Sequence, residues 1–263
     1  EALLDALSRR ILVLDGGVGT YLQDQALSAG DFGGAEHEGC LEYLVITRPD
    51  VVSAMHEGYL AGGADIIETD TFGGTPLVLE EFGLGARAVE INRRAAELAR
   101  AAAEKFSTPE RPRFVAGSMG PTTKAISVTG GVTFDALIEH FRTQAQGLLE
   151  GGADYLLIET AQDTRNVKAA LIGIETLFTQ CGRRIPVAVS GTIETMGTML
   201  AGQGVDALYA SVAHRDLLYI GLNCATGPAF MTDHLRTLAA LANLRVAVVP
   251  NAGLPDENGK YLE

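Results

Sequence analysis

Short apolar runs alternate with longer amphipathic stretches along most of this chain, and that alternation limits the folds open to it. The runs are apolar throughout, which is typical of strands buried on both faces of a parallel sheet. We predict seven strands, at residues 11–14, 65–69, 114–117, 155–160, 187–190, 219–223 and 246–250. We predict helices at residues 50–61, 86–105, 133–150, 164–180, 204–213 and 229–241. Strands that alternate with helices in this way indicate an α/β fold with right-handed crossovers.

The number of strands leaves two α/β architectures open. A closed (β/α)8 TIM barrel needs eight strands, and the last predicted strand ends at Pro250 in a chain of 263 residues. Either the sheet is open and doubly wound, or the polypeptide continues beyond Glu263 and supplies the missing unit. No sustained linker rich in Gly, Pro or Ser interrupts the sequence, so we expect residues 1–263 to form one domain.

Composition argues against several classes of protein. The net charge is −13 and no basic stripe is present, so binding to the phosphates of nucleic acid is not expected. No apolar stretch approaches the roughly 18 residues that span a membrane. Three widely spaced cysteines, Cys40, Cys181 and Cys224, do not make a disulfide framework, which favours a cytoplasmic location.

Polar side chains follow the predicted strands, and the carboxyl ends of parallel strands meet at one rim in either architecture. Asp15 and Glu159 could hold an ammonium group there, or serve only in turns and caps. Cys224 could be a nucleophile, a metal ligand or an inert buried residue. One cysteine cannot complete a zinc site. Glu42, outside the strand ends, is interpreted as a solvated surface charge.

Five segments together resemble the homocysteine S-methyltransferase family. They are residues 15–20 (DGGVGT), 62–72 (GGADIIETDTF), 190–193 (SGTI), 221–228 (GLNCATGP) and 250–255 (PNAGLP). The resemblance extends from about residue 11 to residue 263. It implies that the chain is a homocysteine-binding (β/α)8 TIM barrel domain that ends before its eighth strand, with further domains outside the sequence.

The resemblance also implies a zinc site at the barrel rim, built from three cysteine thiolates. Cys224 matches one of them and is the expected catalytic residue, and the other two would lie beyond Glu263. Asn251 matches a position that occupies the fourth zinc coordination site until the substrate thiol displaces it. The expected substrate-binding residues are Asp15, Gly16, Glu159 and Asn223.

The activity that the resemblance implies is methyl transfer to the thiol of homocysteine, which gives methionine. Within the family, the motifs are most similar to the branch whose donor is methylcobalamin. In that branch, cobalamin-binding and methyltetrahydrofolate-binding domains belong to the same polypeptide. Two alternatives remain: a stand-alone homocysteine methyltransferase with a sulfonium or betaine donor, and a non-catalytic α/β scaffold that binds a small ligand.

Overall fold

The structure, a computed structural model, describes residues 1–252 of the chain and confirms an α/β fold with parallel strands. The strands are β1 (Ile66–Glu68), β2 (Phe114–Met119), β3 (Tyr155–Ala161), β4 (Val187–Gly191), β5 (Tyr219–Asn223) and β6 (Arg245–Val249). Neighbours in the sheet follow chain order from β1 to β6. The closed eight-stranded barrel stays a prediction, because six strands are present in the described part of the chain.

The six helices predicted from sequence are confirmed, with ends that differ by a few residues. They are α4 (Pro49–Gly62), α6 (Ala88–Phe106), α7 (Phe134–Glu150), α8 (Thr164–Cys181), α9 (Val205–Val212) and α10 (Pro228–Leu241). Four further helices were not predicted, namely α1 (Ala2–Arg9), α2 (Val18–Gln23), α3 (Leu44–Thr47) and α5 (Pro76–Leu79). They contain eight residues or fewer, which is too short for a clear helical period. No helix within residues 1–252 is long and apolar enough to cross a lipid bilayer.

The predicted first strand, residues 11–14, is wrong. Within residues 1–252, its one ladder pairing is an isolated parallel bridge between Leu14 and Ile66, supported by backbone bonds such as Asp15 N to Ile66 O at 3.0 Å. Ile11 and Val13 are 89% and 56% exposed. An apolar run usually becomes a buried strand only when neighbours cover it, and within residues 1–252 the sheet has no strand on the far side of this segment.

The chain divides into two compact units. The first unit contains residues 1–119 and 142–156, and the second contains residues 120–141 and those from 157 onward. In the first unit β1 pairs with β2, with Ile66 opposite Phe114. An apolar cluster in this unit includes Leu44, Met55 and Ile91, which are fully buried.

In the second unit β5 lies between β4 and β6, and their registers align the strand ends. Ser190 is opposite Gly221, and Asn223 is opposite Val249. A Cβ atom on Gly221 would lie 2.8 Å from the carbonyl oxygen of Ala247, so the close approach of β5 and β6 requires glycine at this position. The register therefore places the polar residues that follow β4, β5 and β6 at one edge of this unit.

Candidate functional site

Asn223, the last residue of β5, joins the ends of three strands in the second unit. Its side chain is 4% exposed. Oδ1 accepts hydrogen bonds from the backbone N–H of Thr160 (3.0 Å) and from Ser190 Oγ (2.7 Å). Nδ2 donates to Thr160 Oγ1 (2.6 Å) and lies 3.2 Å from Cys224 Sγ. The Asn223 amide therefore contacts β3, β4 and the turn after β5 simultaneously.

Cys224 occupies a backbone conformation that non-glycine residues rarely adopt. Its φ is +58°, and the φ values of Ala225 and Thr160 are +58° and +51°. Such conformations cost about 1–3 kcal/mol each and concentrate at functional sites. The turn is held in place because Cys224 N–H donates to the carbonyl of Val249 (3.0 Å) and its carbonyl accepts from Thr226 N–H (2.7 Å).

The Cys224 thiol lies among groups with opposing effects on its pKa. Burial raises the pKa of Cys224, and the carboxylate of Glu159 raises it further. Hydrogen bonds from Asn223 and Thr160 lower it, and the net direction is upward. The structure therefore brings Cys224, Asn223 and Glu159 into one electrostatic environment.

Glu159 lies in β3 and is almost fully buried. It lines a small recess with a cavity volume of about 20 Å³, together with Pro121, Thr122, Phe141 and Gln162. All of these residues belong to the second unit. A volume of this size has room for about one water molecule, so the recess adjoins Glu159 without enclosing a whole ligand.

Asn251 lies two residues beyond β6, and its backbone N–H donates to the carbonyl of Thr226 at 3.1 Å. The residue is thereby tied to the turn that follows Cys224. Within residues 1–252 no three His, Cys, Asp or Glu side chains are grouped so that they could hold a metal ion. The Cys224 thiol is a donor type that zinc accepts, and the described residues do not supply the usual four ligands.

Asp15 and Gly16 belong to the first unit. Asp15 Oδ2 accepts a hydrogen bond from the backbone N–H of Glu68 at 2.9 Å. A Cβ atom on Gly16 would lie 2.8 Å from Cε1 of Tyr59, and the Tyr59 hydroxyl donates to the carbonyl of Gly17 at 3.1 Å. Burial raises the pKa of Tyr59, and Asp15 adds to that rise. The close packing of Tyr59 on this turn therefore favours glycine at position 16.

The interpretation of Glu42 as a solvated charge is wrong. Glu42 Oε1 accepts the backbone N–H of Gly73 at 2.6 Å, and burial raises the pKa of Glu42. Asp70, which is 2% exposed, lies near it, and burial followed by the charge of Glu42 raises the pKa of Asp70 well above its usual value. Burial and the same carboxylate raise the pKa of Cys40 to about 12. No sequence period links these residues, so only the fold reveals the cluster.

Comparison with known proteins gives concordant matches. Residues 12–263 match the family model described as homocysteine S-methyltransferase. Methionine synthases from Mycobacterium leprae (strain TN) and Mycobacterium tuberculosis (strain ATCC 25618 / H37Rv) are each 44% identical over 261 residues, or 99% of this chain. The matched regions are 21% and 22% of those proteins, so this chain spans about a fifth of the length of these relatives.

A solved structure shares the fold. The metallated form of the homocysteine methyltransferase MmuM from Escherichia coli superposes with a TM-score of 0.79 and 23% sequence identity. The superposition covers 96% of this chain and 88% of that one. At this level of identity the likeness concerns the fold alone.

Proposed function

This chain belongs to the homocysteine S-methyltransferase family, and from that premise we propose that it binds homocysteine and activates its thiol for methyl transfer, giving methionine. The observation that carries the proposal is the arrangement around Cys224. Its thiol lies beside Asn223 Nδ2 at 3.2 Å and within the electrostatic influence of Glu159. The proposed substrate carries a thiol and an ammonium group. Its site therefore needs a sulfur ligand for the metal that binds the thiol and a carboxylate for the ammonium.

We infer that zinc is the cofactor, with Cys224 and the exchangeable Asn251 as its ligands within this chain and two cysteines beyond Glu263 completing the set. When bound, zinc would stabilise the deprotonated form of the substrate thiol, whose pKa in the free state is about 8.5. The sulfur of Cys224 and the attachment of Asn251 to the following turn support these assignments.

The remaining residues bind and orient the substrate. Glu159 receives the ammonium group of homocysteine, and Asn223 lies in the same unit. Asp15 and Gly16 belong to the other unit and are proposed as substrate-binding residues from the family resemblance alone. Charge-assisted hydrogen bonds to an ammonium contribute about 1.5–3 kcal/mol each, and they fix the thiol in one orientation toward the methyl donor. A thiol that lacks the amine cannot make these hydrogen bonds, so the site discriminates against it.

We propose methylcobalamin as the methyl donor. The cobalamin and methyltetrahydrofolate would be bound by other domains of the same polypeptide, and this chain would be a TIM barrel domain whose eighth strand lies outside the sequence. The support is the identity of 44% with methionine synthases that are about five times longer than this chain. A cytoplasmic location remains an expectation.

A donor comparison in the full-length polypeptide tests this function. Homocysteine is supplied with methylcobalamin, with S-methylmethionine as a sulfonium donor, or with betaine, and methionine is quantified. We expect methionine from methylcobalamin alone. Methionine from the sulfonium or betaine donor alone would overturn the donor assignment, whereas no product from any donor and no calorimetric binding of homocysteine would indicate a non-catalytic scaffold.

A further inference from the structure

The connection between β2 and α7, residues 120–133, is long and contains neither helix nor strand. Connections of roughly this length within compact domains are usually functional. Part of it, residues 121–129, is fastened by side chains at the start of α8, and we refer to residues 121–129 as the strap. Both the strap and the start of α8 lie in the second unit.

Asp163 is the first of the two residues that hold the strap. It is 1% exposed. Oδ1 accepts the backbone N–H of Arg165 at 2.8 Å and thereby caps α8. Oδ2 accepts the backbone N–H of Ser127, in the strap, at 2.8 Å. A buried carboxylate is costly unless it is hydrogen-bonded. One of the two backbone hydrogen bonds that stabilise the Asp163 carboxylate comes from the strap.

Asn166, one turn further along α8, holds the strap at three more points. Its Oδ1 accepts the backbone N–H of Ile126 at 3.1 Å. Its Nδ2 donates to Thr122 Oγ1 at 3.2 Å and to the carbonyl of Lys124 at 3.1 Å. Both the oxygen and the nitrogen of the Asn166 side-chain amide therefore form hydrogen bonds with the strap, which is distant from Asn166 in the sequence.

The strap forms one wall of the cavity that Glu159 lines. Pro121, Thr122 and Ala125 of the strap face this cavity together with Glu159 and Gln162 from β3 and the residue after it. Asp163 and Asn166 also line it. The position of the strap therefore fixes the space beside Glu159 and limits the access of water to its carboxylate.

We propose that Asp163 and Asn166 are positioning residues that act through the strap on Glu159 and thereby set the selectivity for thiols that carry an amine. This inference rests on the proposed function, in which Glu159 receives the ammonium of homocysteine. A carboxylate held in one conformation and shielded from water binds an ammonium more strongly than a mobile, hydrated one. Release of the strap weakens amine recognition and leaves the chemistry at the thiol in place.

The test uses the full-length protein with its metal and with methylcobalamin as donor. Rates are measured for homocysteine and for 4-mercaptobutanoate, which lacks the amine. Asp163→Ala and Asn166→Ala are each expected to lower kcat/KM for homocysteine about tenfold, mainly through KM, and to leave 4-mercaptobutanoate within about twofold. Arg165→Ala is the matched control, because this exposed side chain lies on the same turn of α8, and it is expected to change neither substrate.

Two further variants separate positioning from folding. Asp163→Asn keeps an acceptor and is expected to recover part of the selectivity. Glu159→Gln combined with Asp163→Ala is expected to be no less selective than Glu159→Gln alone, because both changes act on one interaction. If Asp163→Ala fails to fold, Asn166→Ala leaves the helix cap intact and decides the question by itself.

The outcomes are distinct. An equal loss for both thiols in the strap variants, or an unchanged selectivity in Asn166→Ala, would overturn the positioning role while the proposed function stands. A wild-type protein that methylates neither thiol, or shows no preference for homocysteine, would overturn the proposed function and this inference with it.

Discussion

Asn223 Nδ2 lies 3.2 Å from Cys224 Sγ, so the amide that ends β5 touches the thiol of the next residue. The other half of the same amide accepts bonds from Thr160 on β3 and Ser190 on β4. The position of the thiol is therefore coupled to the relative placement of three strand ends.

Replacing Asn223 with alanine is expected to destabilise the protein more than removing any one of its partners. Asn223→Ala leaves buried groups on Thr160 and Ser190 unpaired and is expected to lower the free energy of unfolding by about 3 kcal/mol. Ser190→Ala removes one bond and is expected to lower it by about 1 kcal/mol. Urea-induced unfolding measures both, and equal losses would contradict the central role of Asn223.

Cys224→Ser is expected to remove tightly bound zinc from the full-length protein and to abolish methionine formation, because serine is a poor zinc ligand compared with a thiolate. Metal analysis of the purified protein measures the first effect. Cys181→Ser is the matched control: Cys181 is exposed at the end of α8, and its replacement is expected to retain the metal. A variant at Cys224 that keeps its full zinc content would contradict the assignment.

The sequence placed Cys224, Asn223 and Glu159 at or near strand ends because their strands are short apolar runs, and the length of these runs and the turn residues beside them favour strands over helices. It could not reveal the four contacts of Asn223, since Thr160 and Ser190 are distant in the chain. The positive φ of Cys224 was equally hidden, because that conformation normally signals itself through glycine. Residues 11–14 show the converse failure, because this strand-like run leaves Ile11 and Val13 exposed.

Asp65 is expected to make the protein sensitive to acid. Burial alone raises the pKa of Asp65, but hydrogen bonds from Arg10, from the Val13 N–H and from Arg111 outweigh it and lower the pKa to about 2. The unfolded chain binds this proton near pH 3.9. The carboxylate therefore contributes about 2–3 kcal/mol above pH 4, and this contribution is lost as the pH falls toward 2.

Unfolding titrations of the wild type and Asp65→Asn between pH 7 and pH 2 measure this contribution. The variant is expected to be less stable by about 3 kcal/mol at pH 7, because buried Arg113 and its neighbours lose their counter-charge, and the difference is expected to shrink below pH 4. Asp5→Asn, at an exposed position in α1, serves as the control. A difference that does not vary with pH would contradict the role of the ionised carboxylate.

Asp70 is expected to show the opposite dependence. Its Oδ2 is buried and has no hydrogen-bond partner among residues 1–252, and burial and Glu42 raise its pKa well above the usual value. Above about pH 3.9 the unfolded chain loses the proton that the folded protein retains. The free energy of unfolding therefore falls as the pH rises from about 4 toward the raised pKa, by about 1.4 kcal/mol per pH unit.

Asp70→Asn removes this proton linkage while keeping the shape of the side chain. We expect the variant to be more stable than the wild type at pH 7 and to match it near pH 3, where Asp70 is protonated in both states. Asp233→Asn, at a side chain that is 90% exposed on α10, is expected to show no such trend. Thermal unfolding across this pH range provides the measurement. A variant that is less stable than the wild type at pH 7 would mean that Asp70 is ionised and paired. Only the loss of a stabilised carboxylate would lower the free energy of unfolding at that pH.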